Sequence, residues 1–67
     1  MTVARITEIS SVSSVSFQDA IVEGVARANK TLKNVKGAWV KDQEVTVDNG
    51  NVSGYKVILK VTFILED

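Results

Sequence analysis

The side chains that could do chemistry are few, and most lie in the second half of the chain. Trp39, the only tryptophan, is followed at two-residue spacings by Lys41 and Gln43, with Lys56 and Lys60 further on. An indole offers a flat apolar face on which a planar ligand can stack. A glutamine amide and an ammonium can hydrogen-bond a ligand carbonyl or phosphate. Asp42, Glu44 and Asp48 alternate with the first group. A hard cation such as calcium wants six to eight oxygens, several of them from converging carboxylates. Acids at i, i+2 and i+6 of one strand span too far for a single site. Calcium would therefore need copies of the chain to converge, and a solvated strand edge is the simpler account. Catalysis has little to work with. The chain has no histidine and no cysteine, so the commonest general base and the strongest nucleophile are missing. Ser10, Ser11, Ser13, Ser14 and Ser16 cluster with no base among them, and the glycines at 24, 37, 50 and 54 form no phosphate loop. The chain reads as a binding protein and not an enzyme.

Composition narrows the setting. Sixty-seven residues are one domain, 1–67. Eight basic and eight acidic residues cancel, so no charge excess draws the chain to nucleic acid or an anionic membrane. No apolar run reaches the roughly 18 residues of a membrane span, and the first residues, MTVARITEIS, lack the apolar stretch of a secretion signal. A cytoplasmic setting is expected. A chain this short, with no disulfide and no evident metal, has a marginal core of its own, and subunit association is the natural source of further stability.

The elements that position these residues follow from periodicity. Thr2–Ile9, rich in β-branched residues, predicts a first strand. Ser10–Ser16 reads as a connection. Ser16 is a helix N-cap with Asp19 in a capping-box-like position, and a helix is predicted to Asn34, terminated by Gly37. Phe17, Ala20, Ile21, Gly24, Val25, Ala28 and Leu32 share one helical arc, continued by Val35. Residues 38–66 read as a hairpin about Asn49-Gly50, the residue pair of a type I′ turn. That turn sets Asp48 opposite Asn51, Val40 opposite Leu59, Ala38 opposite Val61, Trp39 opposite Lys60 and Gln43 opposite Lys56. Tyr55, Val57, Leu59, Val61, Phe63 and Leu65 then form the face that meets the helix. The fold class is α+β, with β-α-β-β order and three antiparallel strands packed on one helix.

The opposite face is the informative one. It is expected to carry Trp39, Lys41, Gln43, Val45 and Val47 from one strand and Lys56, Ile58, Lys60, Thr62 and Ile64 from the other, with Asp42, Glu44 and Asp48 on the opposite side and Asp42 and Glu44 there beyond the helix end. One helix cannot cover both faces. Strands of about 15 residues span ~50 Å, whereas a helix of about 18 spans ~27 Å, so the hairpin overhangs its helix. Exposed apolar area on an overhanging ribbon points to self-association. Trp39 has two roles open to it, ligand platform or subunit contact. Gln43 with Lys56 could bind a ligand or line a solvent channel.

The order of strand, serine-rich turn, helix and long hairpin, together with Ser16–Ile21 (SFQDAI), Val25–Leu32 (VARANKTL) and Val61–Asp67 (VTFILED), resembles the dodecin family over the whole chain. The resemblance implies a hollow homododecamer that binds flavins (riboflavin, FMN or FAD) in pairs near threefold axes, without catalysis. In flavin-binding members a tryptophan opening the second strand stacks on the flavin, and a glutamine in the third strand hydrogen-bonds it. Those positions are Gly37 and Lys56 here. The sequence is closer to a branch lacking that pair, some of whose members bind calcium. The implied cofactor-binding set is Trp39, displaced by one pleat, with Gln43, Lys56 and Gly37. The alternative is a dodecin-like assembly without flavin, in a structural or calcium-binding role.

Overall fold

The computed structural model describes residues 2–65. The elements run β1 (Ala4–Ser13), α1 (Phe17–Thr31), β2 (Val35–Asp48) and β3 (Asn51–Ile64). They form one antiparallel sheet in the order β1-β3-β2, with α1 across one face. The expected β-α-β-β architecture is observed. The hairpin end expected at residue 66 lies outside the described residues.

The core lies where the period-two pattern of β3 meets the small-residue stripe of α1. Val57, Leu59 and Val61 are fully buried against Ala20 and Ala28, flanked by Ile9, Phe17, Ile21, Val25, Leu32 and Val35. Gly24 lets the helix lie close. A methyl group there would stand 3.1 Å from both Leu59 Cδ1 and Ser11 Cβ. Phe17 meets the Tyr55 ring edge-on at 5.1 Å, closing the core at one end.

The serine-rich segment departs from expectation. β1 runs on through Ser10–Ser13. Ser11 lies opposite Val57 and Ser13 opposite Tyr55, on the helix side, while Ser10 and Val12 face Ile58 and Lys56 on the other. Small side chains are what the close-lying helix requires there. Ser13 is buried. Its hydroxyl donates to Asp19 Oδ2 at 2.6 Å and accepts from the Val15 and Ser16 amides at 2.9 and 3.4 Å. Ser16 caps the helix as expected, accepting from the Asp19 amide at 2.9 Å. The Asp19 carboxylate, however, takes the Ser13 hydroxyl and not the Ser16 amide, which itself turns to Ser13. An aspartate is short for the capping-box back-bond.

The helix also ends earlier than expected. Leu32 is its C-cap, with an extended backbone and its amide on the Ala28 carbonyl at 2.9 Å. The left-handed residue that reverses the chain is Asn34, φ 62°, and not Gly37. Asparagine tolerates that conformation well. Gly37 sits within β2 opposite Thr62.

Asn49 and Gly50 have φ of 53° and 81°, the pair of positive values a type I′ turn demands. The molecule is 51 × 19 × 14 Å. A 15-residue helix spans only about 22 Å, so the hairpin overhangs it. Val47 and Val52 near the tip are more than half exposed.

Candidate functional site

In an antiparallel sheet, directly opposed residues share a face. Near the start of β2 the predicted pairing holds, with Ala38 opposite Val61, Trp39 opposite Lys60 and Val40 opposite Leu59. Between Val40 and Asp42 the register shifts by one. Lys41 is the extra residue of a β-bulge, and every following side chain is turned to the other face until a further irregularity at Thr46/Val47; an earlier one lies at Val35/Gly37. Asp42 is opposite Ile58, Gln43 opposite Val57, Glu44 opposite Lys56 and Val45 opposite Tyr55.

Three expectations are thereby corrected. Gln43 does not face Lys56, and Glu44 does. Gln43 and Val45 belong to the helix side of the sheet. Asp42 and Glu44, expected opposite Trp39, share its face. The cause is the unpaired Lys41, since a one-residue slip inverts each side chain that follows.

The helix-free face is thus built from three strands. Central β3 supplies Lys56, Ile58, Lys60 and Thr62. β2 supplies Trp39, Asp42 and Glu44 on one flank, and β1 supplies Ile6, Glu8, Ser10 and Val12 on the other. Trp39 is 49% exposed. The Lys60 ammonium lies 5.6 Å from its ring centroid, within cation–π range. Lys41 reaches across the central strand to Glu8, Nζ to Oε1 3.3 Å. The Lys56 ammonium stands 4.0 Å from Glu44 Oε1. Further along β2 and β3, Asp42, Gln43, Glu44, Lys56 and Ile58 line an open hollow of about 360 Å³.

The structure brings Trp39 and Lys56 onto one face with the hollow between β2 and β3. Gly37 lies on the same strand, with open space where a side chain would be. Asp48 is at the hairpin turn, apart from Asp42 and Glu44. Among the described residues no cluster of three or more acidic, histidine or cysteine side chains could hold a metal ion. Glu8 was not foreseen as part of this face. Its signal was the two-residue period of β1, which gains meaning only once β1 is paired with β3. Among the described residues no helix is long and apolar enough to cross a membrane.

The chain thus forms a small antiparallel sheet with one helix on one face and a tryptophan-bearing, charge-rich surface on the other. The dodecin family model matches residues 3–66. The dodecin of Thermus thermophilus is 35% identical over 60 residues, 90% of this chain and 87% of that protein. The calcium dodecin of Mycobacterium tuberculosis is 30% identical over 63 residues, 94% of this chain and 89% of that one. The solved dodecin of Streptomyces davaonensis superposes with a TM-score of 0.93 at 29% identity, covering 98% of this chain and 97% of that one. The chain belongs to the dodecin family. Dodecins are small-molecule-binding proteins without catalytic activity.

Proposed function

We propose that this chain is a non-catalytic subunit of a cytoplasmic homododecamer that binds and sequesters a planar small molecule on its helix-free sheet face, with a flavin (riboflavin, FMN or FAD) the first candidate. The observation that carries the reading is the half-exposed ring of Trp39 on an uncovered sheet face, with the Lys60 ammonium against it and a hollow lined by Asp42, Glu44, Lys56 and Ile58 further along the same two strands. A planar ligand stacks on such a ring, while Lys56, Asp42 and Glu44 offer donors and acceptors to its edge. Gly37, two residues before Trp39 on β2, has open space where a side chain would stand. Gln43 borders the hollow, but its position opposite Val57 assigns its side chain to the helix side of the sheet, so that side chain would meet the ligand only around the strand edge or from a neighbouring copy. Apolar side chains exposed on β2 and at the hairpin tip, among them Val45, Val47 and Val52, supply surface for the association of subunits.

The test is fluorescence together with size. Purified protein at micromolar concentration should sediment as a dodecamer and quench added riboflavin. Unchanged riboflavin emission with an intact assembly supports a second reading, a structural or calcium-binding dodecin. That reading is favoured by Gly37 and Lys56 standing where the flavin-binding pattern has tryptophan and glutamine, and by the bulge that brings Asp42 and Glu44 onto one face. Trp39→Ala separates the roles of the indole. Lost quenching at unchanged size assigns stacking, and lost assembly assigns subunit contact.

A further inference from the structure

Lys60 and Glu8 are directly opposed across β1 and β3, the arrangement in which an ion pair is ordinarily expected. That pair is not what forms. The Glu8 carboxylate is taken by Lys41, reaching over the central strand from the β2 bulge at 3.3 Å. Lys60 lies instead against the Trp39 ring at 5.6 Å. The bulge and the Lys41–Glu8 bridge thus act together. They draw off the acid facing Lys60 and leave its charge beside the aromatic surface. The other acid near it is Asp42, which lies diagonally, opposite Ile58. Neighbouring outward residues along β3 are Ile58 and Thr62, neither of them charged.

We infer that Lys60 is the specificity-determining residue of the Trp39 platform, selecting planar aromatic ligands with an anionic or carbonyl-rich edge against planar cations. The inference rests on the proposed platform reading and names its substrate class. A ring stacked on Trp39 must share the indole surface with the ammonium or push it to the ring's edge. In either position the ammonium donates hydrogen bonds to carbonyl or carboxylate oxygens. A planar cation in the same place must displace a like charge from a cation–π contact.

Two tricyclic probes of the same ring size and opposite charge at neutral pH test this: acridine-9-carboxylate and 9-aminoacridine. Each is titrated into the assembled protein while quenching of Trp39 emission is followed. The native protein should favour the carboxylate. Lys60→Gln should shrink the ratio of the two affinities about tenfold, equivalent to about 1.4 kcal/mol, and Lys60→Arg should restore it. A purely structural role for Lys60 would move both affinities together and leave the ratio alone. Equal ratios in native and Lys60→Gln protein overturn the inference while the platform stands. If neither dye nor riboflavin quenches Trp39, the platform reading falls and the inference with it. Should Lys60→Gln fail to assemble, the native protein in rising salt decides the matter. The Debye length falls from about 30 Å at 0.01 M to about 3 Å at 1 M, so the preference should fade across that range, and a salt-independent ratio overturns the inference.

Discussion

β2 and β3 are each 14 residues long and lie side by side in one sheet, yet they live in different environments. β3 is central, paired on both edges, and buries Val57, Leu59 and Val61 completely beneath the helix. β2 is an edge strand that α1 scarcely meets, and apart from Val35 and Thr46 every residue along it is exposed. Sequence character does not make the difference, since Val40, Val45 and Val47 are as apolar as their counterparts in β3. Position does. One 15-residue helix can cover about two strands, and here it rests on β1 and β3. The strand left over carries the tryptophan, the bulge and the carboxylates. The packed half holds the fold together, and the unpacked half is where the proposed ligand and subunit contacts fall.

The sharpest way to break that comparison is to empty the packed half. Leu59→Ala removes the largest fully buried side chain, between α1 and the sheet. Such truncations cost about 2–5 kcal/mol, and the urea midpoint at fixed protein concentration should fall accordingly. A loss below about 1 kcal/mol would mean that the helix–sheet contact is not what holds the subunit. Next in size is Ser13→Ala. It leaves the Val15 and Ser16 amides and the Asp19 carboxylate without the hydroxyl they share, at a cost of about 1–3 kcal/mol. Thermal unfolding of the variant against native protein measures it. A neutral result would return the serine-rich segment to the status of a mere connection.

That segment shows why parts of the fold were hard to read. Serine is a turn residue by propensity, and five in seven positions, Ser10–Ser16, suggest a loop. The fold uses them as a strand because Gly24 and Ala28 bring the helix down onto small side chains. The need for small residues is visible only when both elements are in place. The core of β3, the helix arc and the type I′ turn were legible because each repeats a strict local period. The Lys41 bulge was not. Trp39, Lys41, Gln43, Val45 and Val47 alternate as well in one register as in the other, and a strand exposed on both faces has no buried side to fix the register. The site lies on that strand, so the bulge decided which candidates came together. Trp39 and Lys60 were paired correctly, before the slip. Gln43 and Lys56 were paired wrongly, after it.

The smallest expected effect on stability belongs to Lys41→Ala, and it is informative because it is small. Lys41 and Glu8 are each about half exposed, 47% and 49% at their side chains, so their bridge should contribute no more than about 1 kcal/mol. The bulge is a property of the backbone register, set by the pairings on both sides of it, and alanine can occupy it. What should change is electrostatic. With Lys41 gone, the Glu8 carboxylate is released to its direct partner Lys60, and the ammonium is drawn from the indole ring. The Trp39 emission maximum should shift and the unfolding midpoint stay nearly constant. A stability loss above about 2 kcal/mol would show that Lys41 is packed in an interface between copies, since an exposed bridge does not supply that much. Unchanged emission with unchanged stability would show that Lys60 keeps its place on the ring whether or not Glu8 is occupied. The contrast between a packed strand that stabilises and an open strand proposed to recognise a ligand would then hold without the bulge as its switch.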